Sequence, residues 1–243
     1  MMLVVFLFYS CKNASHRNTR IEAKTIAIDS SLKSDASYIR FIEPYREQMI
    51  TKINTILTYA SKDLVRTDGN RQSSLGNLMA DLCYERANPL FEKQFGKTID
   101  FAMFNYGGIR SGIFKGNVTY RNVFELMPFE NTFVVVELSG EKAKELIHYF
   151  IKNKKAHPLS KQVILSIDGE GYALKIGNEL FDSKKTYRVL TSNYLQSGGD
   201  RMDFFKNPIK LYKLAYKVRD AITDYFRVTD TLAATLDNRV TIK

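Results

Sequence analysis

Two cysteines and three histidines are all the thiol and imidazole chemistry in these 243 residues, and the shortage excludes a good deal. Cys83 lies among Leu75, Leu78, Met79 and Leu82 and reads as a small core residue, so no cysteine nucleophile is expected. His16 falls in a polar stretch, His148 on a helix, and His157 beside a proline in a lysine-rich loop. None has an Asp-x-His or His-x-x-x-His neighbour, the spacing a hydrolytic metal centre requires, so no metal site is expected in the chain. No Gly-x-x-x-x-Gly-Lys phosphate loop occurs, and "GEGYALKIG" is too weak for a dinucleotide fingerprint. There is no internal repeat and no low-complexity block. Acids are outnumbered, 26 against 36 Lys and Arg, for a net charge of +10. Such a balance favours anionic partners: nucleic acid, a membrane surface or phosphorylated small molecules. The lysines are spread along the chain and no nucleic-acid recognition module is present, so nucleic acid ranks last.

The chain does hold the makings of a core. Hydrophobic residues make up 44% and aromatics 12%, enough for one large domain or two small ones without staples. The N-terminal run Leu3–Tyr9 is too short to span a membrane and reads as a secretion signal. Ser10-Cys11 after it is similar to the lipidation box of bacterial lipoproteins. With Cys11 lipidated no disulfide can form. The expected organisation is a signal over residues 1–11, a tether over 12–37 and a folded domain over 38–243, lipid-anchored to a membrane of the bacterial cell envelope.

Periodicity supplies the elements. Tyr45, Met49, Ile53 and Ile56 recur at helical spacing with Pro44 in the first turn. A polar loop, "RTDGNRQSS", leads to a second helix with Leu75, Leu78, Met79 and Leu82 as its stripe. "TIDFAMFNY" and "FVVVEL" read as strands; Ser139 caps a helix carrying Ala143, Leu146, Ile147, Phe150 and Ile151. "QVILSI", "YALKIG" and "TYRVLTSNYL" read as further strands. A last helix uses Leu211, Leu214, Ala215, Val218, Ile222 and Tyr225, and "NRVTI" closes the chain as a strand. Helices and strands mix without regular alternation, which predicts an α+β fold with mixed β-sheets packed with helices.

Three strand ends carry binding chemistry. "FNYGGIR" sets Gly107 and Gly108, where backbone can approach a ligand, beside Asn105 and Arg110, whose planar fork suits a phosphate. "MPFEN" places Phe129 two residues from Asn131, an amide that donates and accepts. "NYLQSGGD" follows Tyr194 with Gly198, Gly199 and Asp200. Taken together these are the parts for a nucleoside phosphate: two rings for the base, an amide for its edge, an acid for the ribose hydroxyls and an arginine for the phosphate. Singly, each piece is also a strand-end turn or a core aromatic.

The span from "SLGNLMADL" through "NYGGIRSGIFKGNVTYRNVFELMPFENTFVVVELSG" to "KTYRVLTSNYLQSGGDRMDFF" resembles the C-terminal, substrate-binding domain of the 5′-nucleotidase family, over most of residues 40–243. The resemblance implies that Asn105 and Arg110 hold the family's asparagine and phosphate-arginine positions. It implies Phe129 and Tyr194 as a base-stacking pair, Asp200 as the ribose-binding acid and Asn131 as a contact to the base. Larger members carry a metallophosphatase domain with two metal ions; no such motif stands in this sequence. The divalent metals are therefore expected only in a separately encoded metallophosphatase partner, this chain supplying the nucleotide specificity. The alternative is a stand-alone nucleotide- or nucleoside-binding lipoprotein without catalysis. There are departures. Gly69 stands where the family has a further phosphate arginine, with Arg66 and Arg71 as the nearby substitutes. Tyr106 and Glu130 replace glycines, and Arg201 follows the aspartate where glycine is usual.

Overall fold

The computed structural model describes residues 17–169 and 171–243, so Cys11 and His16 lie outside the described residues. The chain divides at Pro44/Tyr45 into two units. In the first, residues 17–35 form no helix or strand and are exposed. Helix α1 (Ala36–Ile53) starts there, runs on into the second unit and buries none of its residues. The expected start at Pro44 is corrected: the proline is internal. The bond it forgoes is to the carbonyl of Arg40, an exposed residue, so the loss costs little. Ile56, expected on the helical stripe, instead opens strand β1 (Ile56–Ala60), whose β-branched and aromatic residues suit a pleated surface.

In the second unit α2 (Ser74–Phe95) follows, capped as its sequence suggests. Ser73 Oγ accepts from Gly76 N–H, and Gly96 ends the helix in the left-handed conformation, its N–H on Glu92 O. Leu75, Leu78, Met79, Leu82 and Cys83 are buried together. Strand β2 (Phe101–Ala102) is shorter than "TIDFAMFNY" predicts, because its neighbour pairs with only two residues before the chain turns. Then come β3 (Gly116–Thr119), α3 (Tyr120–Leu126), β4 (Thr132–Ser139) and α4 (Gly140–Asn153) with Ser139 as its cap. Next are β5 (Val163–Asp168), β6 (Gly171–Ile176), β7 (Glu179–Leu180), β8 (Thr186–Ser192) and the single turn α5 (Asn193–Gln196).

The expected final helix divides. Leu211, Leu214 and Ala215 belong to strand β9 (Lys210–Lys217), and α6 (Val218–Arg227) starts after it. The burial of Tyr212 and Leu214 has the period of two that a strand requires, and pairing with β4 satisfies its backbone. Val218, Ile222 and Phe226 keep the period of a helix and are buried. The short β10 (Thr231–Leu232) and β11 (Val240–Ile242) close the chain.

Three mixed sheets result, in the orders β10-β1-β3, β11-β5-β6-β7 and β2-β8-β4-β9. This is the α+β architecture predicted. In the third sheet β4 buries Phe133, Val134, Val135 and Val136 consecutively, so both its faces are covered. Helix α4 packs on β4 and β8, while α2 and α6 pack on each other and against β2 and β9. Each such fully buried side chain contributes about 1.5–3 kcal/mol.

Topology then places the loops. Strand β2 is parallel to β8, and β4 is antiparallel to β8 with Phe133 opposite Ser192. The ends of β2 and β8 and the beginning of β4 therefore meet at one edge of the sheet. Far along the chain, Gln72 Nε2 donates to Asp237 O and Val240 O, and Arg239 pairs with both Asp81 and Asp237. These bonds tie the C-terminal strand to α2.

Candidate functional site

The loop after β2 is a 3₁₀ turn over Tyr106–Gly108. A Cβ on Gly108 would lie 2.7 Å from Asn105 Oδ1, so glycine lets the asparagine fold back over its own turn. From there Asn105 Nδ2 donates to Asp200 Oδ2 at 2.7 Å. The loop after β8 needs its two glycines for different reasons. Gly198 has φ +95°, and a Cβ on Gly199 would meet the Tyr194 ring at 2.4 Å. The closeness of ring and loop lets the Tyr194 hydroxyl donate to Asp200 Oδ1 at 3.0 Å, a bond that raises the pKa of the phenol. Asp200 and Arg201 both take left-handed conformations, φ +53° and +60°. For non-glycine residues that strain is about 1–2 kcal/mol each. Tyr149 of α4 braces the turn, its hydroxyl donating to Asp200 O at 2.9 Å.

The third loop precedes β4. Phe129 is 38% exposed at its crest. Glu130 below it pairs with Lys217 at 2.6 Å and with Arg219, and their hydrogen bonds hold its carboxyl down at about 2. Arg219 is buried, stacks 4.2 Å over the Phe124 ring and donates to Phe129 O. A glycine at 130 would give this loop no such tether. Asn131 O accepts from Val218 N–H, fixing the loop to the start of α6. Arg110 donates weakly to Gly107 O at 3.4 Å, and its guanidinium lies 6.0 Å from the Phe129 ring centre.

One cleft is lined by Asn105, Gly107, Gly108, Arg110, Phe129, Asn131, Tyr194 and Asp200. The six side chains expected to meet a nucleotide are thus together, drawn from segments up to 95 residues apart. The cleft measures about 560 Å³ with its open mouth, within the range of small-molecule sites. Asp200 accepts two hydrogen bonds within the protein, which leaves lone pairs for a diol. Gly198 and Gly199 shape the turn and do not line the cleft.

The substitutes for the missing arginine do not reach it. Arg66 stacks 4.4 Å over Tyr106 and donates to the carbonyls of Tyr106 and Ile109, holding the turn from below. Arg71 donates to Phe150 O and Ile151 O, near the end of α4. At 69 there is no room: a Cβ would sit 2.6 Å from Gln72 O and 2.7 Å from Leu236.

Sequence reasoning missed His157, whose only signal was its place beside Pro158. It is 3% exposed, and its Nδ1 accepts from Tyr106 N–H at 3.1 Å, which puts the ring proton on Nε2. Burial depresses its pKa to about 4, with Asp200 opposing and Lys155 assisting, so the ring is neutral at pH 7. Nε2 is buried without a hydrogen-bond partner among the described residues. Burial pushes the Cys83 thiol up, consistent with a core role. Among the described residues no group of three His, Cys, Asp or Glu side chains could hold a metal ion. His148 packs edge-on to Tyr172, and Asp81 and Asp237 are paired with Arg239. These residues do not fit a two-metal centre.

Comparison with known proteins identifies the family. The family model described as "5′-nucleotidase, C-terminal domain" matches residues 50–207. The protein UshA of Yersinia enterocolitica is 28% identical over 189 residues, covering 73% of this chain and 32% of that protein. A 5′-nucleotidase of Vibrio vulnificus is 25% identical, covering 74% of this chain and 32% of its own length. The chain spans about a third of these curated relatives. Among solved structures, a 5′-nucleotidase precursor from Thermus thermophilus superposes with a TM-score of 0.67 at 23% identity, over 84% of this chain and 42% of that one.

Proposed function

Since the chain belongs to the 5′-nucleotidase C-terminal domain family, we propose that its cleft binds a nucleotide and supplies substrate specificity to a 5′-nucleotidase-type phosphohydrolase. The observation that carries the reading is the gathering of Phe129, Tyr194, Asn131, Asp200 and Arg110 around one opening. Phe129 and Tyr194 are the stacking surfaces for a base, both near 40% exposed in the absence of one. Asn131 reads the edge of the base. Asp200, oriented by Asn105 and Tyr194, takes the ribose hydroxyls, and Arg110 takes a phosphate oxygen. Water attack on the phosphate ester falls to a metallophosphatase unit outside these residues, and no step of that chemistry is assigned to this chain. This chain binds, orients and selects.

Calorimetry with adenosine and AMP tests the reading. Tyr194→Ala removes a stacking face and weakens both ligands by about 1–3 kcal/mol, tenfold to over a hundredfold in Kd. Asp200→Asn weakens adenosine and AMP alike, because the charged acceptor for the diol is lost. Arg110→Ala weakens AMP and leaves adenosine nearly unchanged. A parent protein that binds neither ligand, or folded variants that all bind like the parent, would sink the proposal.

A further inference from the structure

A second cleft opens on the other side of Asp200. It is lined by Tyr106, Gly107, Tyr149, Asn153, Lys155, His157, Asp200 and Arg201, about 780 Å³ with its mouth. The two clefts share Gly107 and Asp200 and nothing else. Its chemistry differs from that of its neighbour. Phe129 and Tyr194 do not reach it, so it offers no stacking pair for a base. Instead it holds two cations, Lys155 and Arg201, and neither is in an ion pair among the described residues. A surface arginine with no carboxylate partner is ordinary. One held in a left-handed backbone conformation, next to a second left-handed non-glycine residue, is not. In the same lining His157 keeps a buried Nε2–H with no acceptor among the described residues. Unpaired positive charge in a cleft lined by a residue with an unmet donor suits an anion.

Position decides what kind of anion. Taking the proposed nucleotide reading as given, Asp200 grips the ribose diol, so the wall common to both clefts is the 2′,3′ edge of the sugar. The 5′-phosphate lies toward Arg110, which lines the first cleft only. A group entering the second cleft must therefore be carried on a ribose 2′- or 3′-oxygen. We infer that the Lys155–Arg201 cleft is a subsite for a phosphate on the ribose edge, and that the protein prefers nucleotides phosphorylated at both the 5′ and the 2′ or 3′ positions. One hydroxyl remains for Asp200, and the two cations offset its charge against the incoming phosphate.

Calorimetry with AMP, adenosine 3′,5′-bisphosphate and adenosine 2′,5′-bisphosphate tests this. The parent should bind at least one bisphosphate about tenfold or more tighter than AMP, with the margin shrinking as salt rises. Lys155→Ala with Arg201→Gly should abolish the margin while AMP and adenosine keep their affinities within about twofold. Arg201→Gly relieves a left-handed residue, so its thermal midpoint should hold or rise, and a lost margin is then not misfolding. Bisphosphates that bind no tighter than AMP overturn the subsite and leave the nucleotide reading standing. A margin that persists in the double variant also overturns it, placing the second phosphate elsewhere. If AMP and adenosine do not bind at all, both readings fall.

Discussion

The polar cluster around Arg239 and the polar cluster around Asp200 use the same residue types to opposite ends. In the first, every guanidinium nitrogen of Arg239 donates, to Asp81, Asp237 and Leu159 O, and the side chain is 5% exposed. Asn77 donates to Gln72 Oε1 and Thr235 O, so the amides close the remaining valences. In the second, Asp200 is held by Asn105 and Tyr194 but stays exposed, its backbone is strained, and Arg110 has only one long bond. A complete network buried in the fold stabilises it. An incomplete one, oriented but open, is prepared for something from outside.

The largest test of that contrast is Arg239→Ala. Removing the arginine leaves two carboxylates and a carbonyl without their partner. Complete burial would make such a loss about 3–5 kcal/mol. Asp81 and Asp237 are partly exposed, at 26% and 41%, which puts the expected value near the lower end. Urea unfolding should show a drop of about 3 kcal/mol, with AMP affinity unchanged in the protein that remains folded. A drop below about 1 kcal/mol would mean the network is a surface feature after all.

An effect of comparable size, confined to acid pH, should come from His157, which belongs to the open cluster yet is buried. Its pKa is about 4 when folded and about 6.5 when unfolded. Between those values the unfolded chain binds the extra proton, so stability rises with pH across the window. The contribution is complete above about pH 6.5 and lost as the pH falls toward 4, a swing of roughly 3 kcal/mol at most. The lowered carboxyl of Glu130 titrates further down and contributes in the same direction only below its usual range. Thermal midpoints of parent and His157→Gln should therefore diverge near neutrality and converge toward pH 4. Parallel curves would refute the assignment.

Gly199→Ala should have the least effect on stability and still be felt in binding. The new methyl would fall 2.4 Å from the Tyr194 ring, which is 43% exposed and free to swing outward. Stability should change by under about 1 kcal/mol, while AMP affinity falls by about tenfold as the ring leaves its place. Unchanged affinity would show that the ring's closeness to the loop has no bearing on the ligand.

Much of this was legible in the chain. The stripe Leu75–Leu82, the Ser139 cap, the run "FVVVEL" and the Gly-Gly pairs each carry a local signal, because burial and turn chemistry act over a few residues. The six cleft side chains were legible too, but as three separate loops. Two regions misled. Residues 210–217 carry apolar positions that serve either period, and only pairing with β4 selects the strand. Pro44 looked like a helix start, although an exposed helix can carry a proline within it.

The order of residues settled the repertoire: an α+β chain with two rings, two amides, an acid and an arginine at strand ends. Folding alone brought about their meeting, since the parallel pairing of β2 with β8 and the antiparallel return of β4 bring three distant strand ends to one edge. It alone set the state of His157, whose pKa is lowered by burial and whose tautomer is fixed by a Tyr106 amide 51 residues away. It alone closed position 69 to an arginine, through Leu236 and the carbonyl of Gln72. Residue types come with their chemistry. Desolvation, register and unmet valences depend on what the folded chain places around them.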